Sequence, residues 1–244
     1  MTAVKPVLVV SHRGDNLSAP ENTLASAQKA VAAGADYIEF DVRQSADGVL
    51  YVMHDDTVDR TTNGTGLIAE MTSEQIDGLD AGSWFSPDFA GEKVPRLDDF
   101  LGRIKGLCKI YCEIKEADVP AVIKMLRNFG SPDDSFLGSF SAEIRQEYRT
   151  IAPEIRRNIQ LHVAGSLEKA IHHEQGHIFE FLESNITRDD VLEAKKRGLE
   201  TMIFIDTPNT ELFAELVRWQ VDYVNLDHAA LFRAVQQEVL LEMQ

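Results

Sequence analysis

Residues 37–42 read Tyr-Ile-Glu-Phe-Asp-Val, and this short β-rich run decides the fold class. Glu39 and Asp41 alternate with apolar residues, so both carboxylates lie on one face of a strand, roughly 7 Å apart. A helical segment ends at Gly34 before the run, and a turn follows it at residues 45–48. Strands of a parallel barrel are buried on both faces and are nearly all apolar. Acids in such a strand are therefore expected at its C-terminal end, where barrel enzymes keep their active sites.

The same β-then-α order recurs along the whole chain. Strands are predicted at residues 7–11, 37–42, 49–53, 109–114, 135–140, 158–163, 178–182, 201–205 and 223–226. Repeated units of this kind imply a parallel sheet with right-handed crossovers, and 244 residues suit an α/β fold of the TIM-type (β/α)8 barrel class. Because a barrel has eight places, one candidate is irregular or lies outside it, and the run at 49–53 follows its neighbour without a helix. An open doubly wound sheet is the alternative, although no Gly-rich dinucleotide loop follows any strand.

Helix signals fill the intervals between these strands. Asn22 is predicted to cap a helix that ends at Gly34. Thr187 and Asp190 have the spacing of a capping box, and the helix that they begin is expected to end at Gly198. Further helices are predicted at residues 97–105 and 119–129.

Residues 56–95 lack a sustained strand or helix period and are rich in Thr, Gly, Asp and Asn. A short helix signal at 72–76 is the exception. We interpret the segment as a small insertion after the early strands, within a single barrel domain of residues 1–244. Trp84 and Phe85 either line the mouth of the barrel from this insertion or anchor the insertion to it, and the sequence favours neither.

The charge balance limits the expected partners. The formal net charge is −16, from 40 acidic and 24 basic side chains. Such a surface repels nucleic acids and anionic lipid headgroups, so a small-molecule substrate is expected instead, and an anionic one needs local positive charge.

The sequence also predicts a compartment. No apolar run approaches the roughly 18 residues that span a membrane, so integral membrane association is not expected. The apolar residues 7–10 are interpreted as part of a strand and not of a signal peptide. Cys108 and Cys112 are expected to be reduced thiols of a cytoplasmic protein. The oligomeric state is left open.

Three carboxylates are expected to converge where barrel enzymes keep their catalytic residues, at the C-terminal ends of the strands. Glu113 occupies the matching end of a later strand relative to Glu39 and Asp41. Without a partner, such buried charges would each cost several kcal/mol, and a divalent cation removes this cost. Oxygen ligands alone favour a hard ion such as Mg²⁺, Ca²⁺ or Mn²⁺. The competing interpretation is a set of salt bridges to Arg13, Arg43 or Lys115.

Two histidines directly follow β-rich runs near this predicted metal site. His12 and His54 suit general acid–base catalysis, because an imidazole takes up and releases a proton near neutral pH. Arg13 and Lys115 supply positive charge, and a bidentate guanidinium with an ammonium suits a phosphate group. The remaining histidines are interpreted as surface or packing residues: His162, His172, His173, His177 and His228.

Several motifs in this order resemble the glycerophosphodiester phosphodiesterase family. They are His12-Arg13-Gly14, Pro20-Glu21-Asn22-Thr23, Glu39-Phe40-Asp41-Val42, His54-Asp55-Asp56-Thr57, Asp59-Arg60-Thr61-Thr62-Asn63-Gly64-Thr65-Gly66, Asp80-Ala81-Gly82-Ser83-Trp84-Phe85, Val94-Pro95-Arg96-Leu97, Glu113-Ile114-Lys115 and Ser139-Phe140. The resemblance is dense from residue 7 to about residue 115 and thin afterwards, and it implies a barrel shared with phosphoinositide-specific phospholipases C.

The resemblance further implies metal-dependent hydrolysis of glycerophosphodiesters to sn-glycerol 3-phosphate and an alcohol. It implies one Mg²⁺ or Ca²⁺ ion held by Glu39, Asp41 and Glu113, acid and base roles for His12 and His54, and phosphate binding by Arg13 and Lys115. In the mechanism usually drawn for the family, a glycerol hydroxyl attacks phosphorus and one histidine protonates the leaving alcohol. Water then opens the cyclic phosphate.

One stretch departs from the family pattern. Many members carry a tryptophan near the penultimate strand, in a Trp-Thr-Val-Asn-like sequence that packs near the glycerol. Here residues 204–207 read Phe-Ile-Asp-Thr, so Phe204 is the candidate substrate contact. The departure leaves open a different diester, such as a sugar phosphodiester or a lysophospholipid, with a cyclic phosphate as a further alternative product. A barrel that binds a phosphodiester without turnover is also left open.

Overall fold

The computed structural model describes residues 5–243, in which nine strands form one sheet. The strands are β1 Leu8–Ser11, β2 Tyr37–Gln44, β3 Leu50–Val52, β4 Lys109–Glu116, β5 Ser135–Gly138, β6 Arg156–Gln160, β7 Ile178–Leu182, β8 Glu200–Ile205 and β9 Tyr223–Leu226. Their order is β1-β9-β8-β7-β6-β5-β4-β2-β3, and β1 also pairs with β2, which closes a parallel ring of eight. The predicted TIM-type (β/α)8 barrel is confirmed, and the open doubly wound alternative is wrong.

Helices surround the ring, mostly in the predicted places. They are α1 Leu24–Ala32, α2 Ser73–Asp77, α3 Leu97–Ile104, α4 Val119–Phe129, α5 Ala142–Ile151, α6 Leu161–Ala164, α7 Leu167–His172, α8 Arg188–Lys196, α9 Thr210–Arg218 and α10 Ala229–Glu242. Helix α8 begins at the predicted capping box of Thr187 and Asp190. The predicted cap of α1 is wrong by one residue, because Thr23 accepts the N-terminal bond from the backbone N–H of Ser26. The side chain of Asn22 is bonded elsewhere, at the candidate site.

An apolar layer fills the barrel interior at its N-terminal end. It consists of Val10, Tyr37, Tyr111, Phe136, Ile178, Met202 and Tyr223. The rings of Tyr111 and Phe136 stack with centroids 4.6 Å apart. Because side chains two residues apart share a face of a strand, the inward residues next along β2, β4, β7 and β9 lie above this layer, toward the C-terminal mouth. Those next residues are polar.

Strand β3 lies outside the ring and pairs antiparallel with β2, with Val42 opposite Val52. It is therefore the irregular ninth candidate. The residues after it contain α2 and two 3₁₀ turns at Ile68–Glu70 and Pro87–Phe89. They pack over a small core of their own, which consists of Tyr51, Met53, Val58, Ile68, Ile76, Ala81 and Val94. Trp84 and Phe85 contact each other, with ring centroids 5.8 Å apart, and neither lines the cavity at the barrel mouth.

Two smaller expectations concern thiols and membranes. Cys108 is half-buried and Cys112 is buried, and both are free cysteines. Burial raises the pKa of the Cys108 thiol to about 12, so this thiol stays protonated near neutral pH. No helix within residues 5–243 has the length and apolar character that a bilayer crossing requires.

Candidate active site

Three buried carboxylates meet at the C-terminal mouth of the barrel. Glu39 and Asp41 project from β2, and Glu113 projects from β4, where it is the direct ladder partner of Asp41. The three residues are at most 7% exposed. One oxygen from each lies within 4.8 Å of the others. The group therefore offers a hard metal ion a compact set of oxygen donors.

Positive charge is needed to keep all three of these carboxylates ionised. Burial, followed by the charges of Asp41 and Glu113, raises the pKa of Glu39 well above its ordinary value. Burial and then Asp41 raise the pKa of Glu113 to about 7. Burial also disfavours ionised Asp41, but the charges of Lys115 and Arg13 outweigh burial, so the pKa of Asp41 is lowered. A dication bound among them would favour the ionised form of all three.

The loop after β1 folds back over two of these carboxylates. Arg13 has a φ of 56°, and its backbone N–H donates to Oε2 of Glu39 at 2.9 Å. Asn22 also has a φ of 56°, a conformation that Asn adopts more readily than most residues. Its Nδ2 donates to Oδ2 of Asp41 at 2.8 Å. The side chain of Asn22 thus orients a carboxylate, which explains why the helix cap passes to Thr23.

His12 follows β1 and is oriented by a residue that follows β9. Its Nδ1 lies 2.8 Å from Oδ1 of Asp227, and Asn16 Nδ2 donates to the same oxygen at 2.6 Å. The imidazole also meets the ring of Phe204 edge to face, with centroids 5.0 Å apart. A carboxylate at Nδ1 keeps the proton on that nitrogen and leaves Nε2 available for proton transfer.

His54 reaches the mouth from the end of β3 and has an orienting carboxylate of its own. Its Nδ1 lies 2.7 Å from Oδ1 of Asp55. Arg60 anchors that carboxylate through Nε at 2.7 Å and also binds Glu21. Burial lowers the pKa of His54 although the charge of Asp41 opposes the shift, so the imidazole is neutral near pH 7.

The two predicted phosphate-binding cations lie against the acids. Lys115 Nζ is 3.2 Å from Oδ1 of Asp41, and Arg13 Nε is 3.6 Å from its Oδ2. Arg43 instead donates to the backbone carbonyl of His54 at 2.8 Å. The sequence left two interpretations of these acids open, a metal site and a set of salt bridges, and the structure has features of both. The carboxylates cluster as metal ligands would. Two of the three basic neighbours, Arg13 and Lys115, also pair with them.

A cavity of about 200 Å³ collects all the residues predicted from the sequence. Those residues are His12, Arg13, Glu39, Asp41, His54, Glu113, Lys115 and Phe204. Two larger surface grooves, of about 570 and 590 Å³, contain none of them. The predicted site residues are thus concentrated at the barrel mouth.

Sequence reasoning missed the other side of this cavity. Gln160, Glu180 and Asn225 project into it from β6, β7 and β9, and each is at most 5% exposed. A signal was available, because Glu180 interrupts the apolar run at 178–182 just as Glu39 interrupts the run at 37–42.

The rim of the cavity was missed as well. Phe140, His162 and Leu182 line it, and Phe140 and Leu182 are 50% and 41% exposed. His162 is a surface residue as interpreted, but its ring lies 5.2 Å from that of Phe140 at the cavity. An exposed aromatic after a barrel strand carries little pattern, so only the folded chain reveals this rim.

The match to known proteins covers most of the chain. A family model described as the glycerophosphoryl diester phosphodiesterase family matches residues 12–231. The chain belongs to this family. A glycerophosphodiester phosphodiesterase of Caldanaerobacter subterraneus subsp. tengcongensis is 39% identical over 160 residues, which are 61% of this chain and 64% of that protein. One of Bacillus subtilis is 35% identical over 168 residues, 61% of this chain and 57% of that protein. The matches thus span less than two thirds of these relatives.

Solved structures of phosphodiesterases match this chain over nearly its whole length. One from Agrobacterium tumefaciens is 46% identical, has a TM-score of 0.90 and covers 93% of this chain and 99% of its own. A phosphodiesterase of Oleispira antarctica, in complex with the product sn-glycerol-3-phosphate, is 26% identical and has a TM-score of 0.87. The match covers 94% of this chain and 96% of that chain. The family resemblance inferred from the motifs is confirmed.

Proposed function

We propose that this protein hydrolyses glycerophosphodiesters to sn-glycerol 3-phosphate and an alcohol. One observation carries the proposal: three buried carboxylates and two histidines, each histidine with its own orienting aspartate, line one cavity together with two cations. The relatives named as glycerophosphodiester phosphodiesterases support the substrate.

Glu39, Asp41 and Glu113 would hold one divalent cation. Their donors are all oxygens and all buried, which fits Mg²⁺ or Ca²⁺, with Mn²⁺ as an alternative. When bound, such an ion supplies Lewis-acid stabilisation of the charge that develops on phosphoryl oxygens.

The other residues of the cavity act on the substrate directly. Arg13 and Lys115 bind the phosphate, whose negative charge suits a guanidinium and an ammonium. His12 and His54 divide the proton transfers, so that one accepts the proton of the attacking glycerol hydroxyl and the other donates a proton to the leaving alcohol. Their roles reverse when water opens the cyclic phosphate. Phe204 packs against the substrate and against His12.

A lysophospholipid, whose glycerol carries an apolar acyl chain, is the second candidate substrate, and the rim favours it. Phe140 and Leu182 expose apolar surface beside the cavity, where the chain of a lysophospholipid would lie. Turnover of lysophosphatidylcholine faster than that of glycerophosphocholine would favour this substrate.

The test is hydrolysis of glycerophosphocholine and glycerophosphoethanolamine with Mg²⁺ or Ca²⁺ and with EDTA. We expect metal-dependent release of glycerol 3-phosphate, lowered by roughly 10²–10⁴-fold in His12→Ala. His172→Ala, on the exposed face of α7, is the matched control and should not change the rate. Phosphorus NMR distinguishes glycerol 3-phosphate from a cyclic product. Binding without turnover of these or of bis-p-nitrophenyl phosphate would contradict the proposal in favour of a non-catalytic barrel.

A further inference from the structure

Arg60, in the insertion, makes four hydrogen bonds to two carboxylates beside the cavity. Its Nε and Nη2 donate to Oδ2 and Oδ1 of Asp55, at 2.7 and 3.0 Å. Its Nη1 and Nη2 donate to Oε2 and Oε1 of Glu21, at 2.7 and 2.8 Å. Two edges of one planar guanidinium are therefore engaged at once, which a lysine ammonium cannot reproduce. We call Glu21, Arg60 and Asp55 together the Arg60 bridge.

The Arg60 bridge connects two groups of the candidate active site. At one end, Oδ1 of Asp55 lies 2.7 Å from Nδ1 of His54. At the other end, Oε1 of Glu21 accepts a hydrogen bond from Nη1 of Arg13 at 2.8 Å. None of the three bridge residues lines the cavity, whereas His54 and Arg13 both do. Any effect of the bridge on a reaction in the cavity must therefore pass through one of these two residues.

His54 depends on such support more than His12 does. His12 follows β1, which pairs with a strand of the ring on each side. His54 follows β3, which lies outside the ring, and its side chain is 32% exposed, against 16% for His12. Arg43 donates to the backbone carbonyl of His54, but this contact does not restrict rotation of the ring. Within residues 5–243, the contact with Asp55 is the one hydrogen bond that the imidazole makes.

The hydrogen bonds from Arg60 also keep both carboxylates of the bridge ionised. They are the largest cause that lowers the pKa of Asp55. Burial opposes ionisation of Glu21, but the bonds from Arg60 and the charge of Arg13 outweigh burial, so the pKa of Glu21 is lowered as well. Arg60 is 45% exposed, and an isolated exposed ion pair contributes little to stability. Bidentate contacts with two carboxylates instead fix their directions, so the expected effect is on orientation.

The loop that carries Arg60 is held by contacts of its own. The backbone N–H of Val58 donates to the carbonyl of Gly66 at 3.0 Å, and Oγ1 of Thr62 donates to the carbonyl of Val58 at 2.6 Å. Val58 is fully buried, and Thr61 and Thr62 are at most 8% exposed. The guanidinium therefore extends from a packed base, which lets the insertion hold Asp55 in a fixed direction.

We propose that Arg60 is a positioning residue for His54. It fixes the carboxylate of Asp55 against Glu21, and Asp55 keeps the imidazole proton on Nδ1, so that Nε2 of His54 is available at the cavity. The inference rests on the proposed function, in which His54 transfers a proton. It also gives the insertion a role in the reaction, because the insertion supplies the group that joins the strand outside the ring to the loop after β1.

The first experiment compares turnover with ligand binding in Arg60→Met. We expect kcat for glycerophosphocholine to fall at least about tenfold, because Asp55 loses the bonds that fix it. Arg13 keeps its bond to Glu21, so the Kd of sn-glycerol 3-phosphate, titrated calorimetrically with Ca²⁺ present, should rise less than about threefold. Arg103→Met removes an exposed arginine of α3 that pairs with Asp99, and this control should change neither quantity.

Two results of this comparison would overturn the inference. A fall in kcat of less than about threefold would show that His54 does not need Arg60. A rise in Kd as large as the fall in kcat would show that Arg60 acts through phosphate binding by Arg13.

A pair of double variants distinguishes positioning from a general structural role. In an Asp55→Asn background, Arg60→Met should cost less than about a further threefold in kcat, because the residue through which it acts is already altered. In an Asp227→Asn background the full loss of at least about tenfold should remain, because Asp227 orients the other histidine. Multiplicative losses in both backgrounds would indicate a structural role for Arg60 and overturn the inference.

A measurement without turnover separates the inference from the proposed function. Long-range ¹H–¹⁵N correlations of protein labelled with ¹⁵N-histidine report which ring nitrogen carries the proton, and His54→Ala assigns the signals. At about pH 8, where histidines are mostly neutral, we expect a His54 proton on Nδ1 in the unaltered protein. Arg60→Met should give a mixture of tautomers at His54 and leave His12 unchanged. Unaltered His54 signals in that variant would overturn the inference.

The remaining outcomes are also decisive. If Arg60→Met does not fold, Arg60→Lys takes its place, because it keeps the charge but cannot engage two edges of a guanidinium. A change of tautomer at His54 is expected there too, and unaltered signals would again overturn the inference. The expected signals without hydrolysis of any diester would leave the Arg60 bridge standing and refute the proposed function.

Discussion

The carboxylate of Asp227 provides the sharpest test of how His12 works. Asp227→Asn keeps an oxygen that can accept from His12 and from Asn16, and it removes the negative charge. His12 Nδ1 lies 2.8 Å from that oxygen, and the two side chains are only 16% and 21% exposed. Unit charges about 4 Å apart at an effective dielectric of about 20 interact by about 4 kcal/mol. Allowing for partial solvent screening, we expect the imidazolium formed during proton transfer to lose roughly 2–4 kcal/mol of stabilisation.

That loss corresponds to a fall in kcat/KM of about 30-fold to 1,000-fold. It is measured on glycerophosphocholine with saturating metal, and thermal unfolding of the same samples reports whether the variant remains folded. The double variant His12→Ala with Asp227→Asn should be no slower than His12→Ala alone, because the carboxylate acts through the imidazole. Multiplicative losses in the double variant, or a fall of less than about threefold in the single one, would refute this reasoning.

Three further predictions concern the metal, pH and packing. Asp41→Asn should abolish turnover and also the rise in melting temperature on adding Ca²⁺ or Mg²⁺; a similar rise in the variant would argue against Asp41 as a ligand. Burial, then Arg157 and Arg156, lowers the pKa of His177 to about 4, so the folded state favours neutral imidazole. The contribution of this neutral histidine to stability is therefore fully present above about pH 6.5 and is lost as the pH falls toward 4. We expect the loss to be roughly 1–2 kcal/mol after discounting for the partly exposed ring. Urea unfolding at pH 7 and 4.5 should show a smaller loss in His177→Gln, and an equal loss would sink the assignment. Gly138→Ala should lower the free energy of unfolding by about 1–3 kcal/mol, because the added methyl meets the Tyr111 hydroxyl; an unchanged melting curve would contradict the contact.

The sequence predicts which acidic residues gather at the barrel mouth, for a physical reason. Glu39 and Asp41 stand in a strand that should otherwise be apolar, and such residues are conspicuous because burying an ionised group is costly. The barrel follows from the alternation of elements, and even the odd strand at Leu50–Val52 was expected, since no helix separates it from β2.

What the sequence does not predict depends on contacts between distant residues. Asp227 orients His12 across 215 positions, and no local pattern encodes that pairing. Asn22 has the residue type and position of a helix cap. Its amide instead donates to the buried carboxylate of Asp41, 19 positions away in the sequence. Gln160 and Asn225 are neutral, so their burial is cheaper than that of a charge and less conspicuous in a strand.

The order of strands around the ring also means that two consecutive parts of the chain build different sides of the cavity. The candidate metal ligands and the two candidate catalytic histidines all precede residue 116, whereas Gln160, Glu180 and Asn225 line the cavity from later strands. A hybrid gene that joined the first part to the second part of another barrel could acquire a new substrate while retaining its reaction. The two parts meet where β1 pairs with β9 and where β4 pairs with β5, and at the first of these contacts Asp227 from the second part orients His12 of the first. A second part taken from another barrel must therefore provide an aspartate at the position of Asp227 if His12 is to remain oriented.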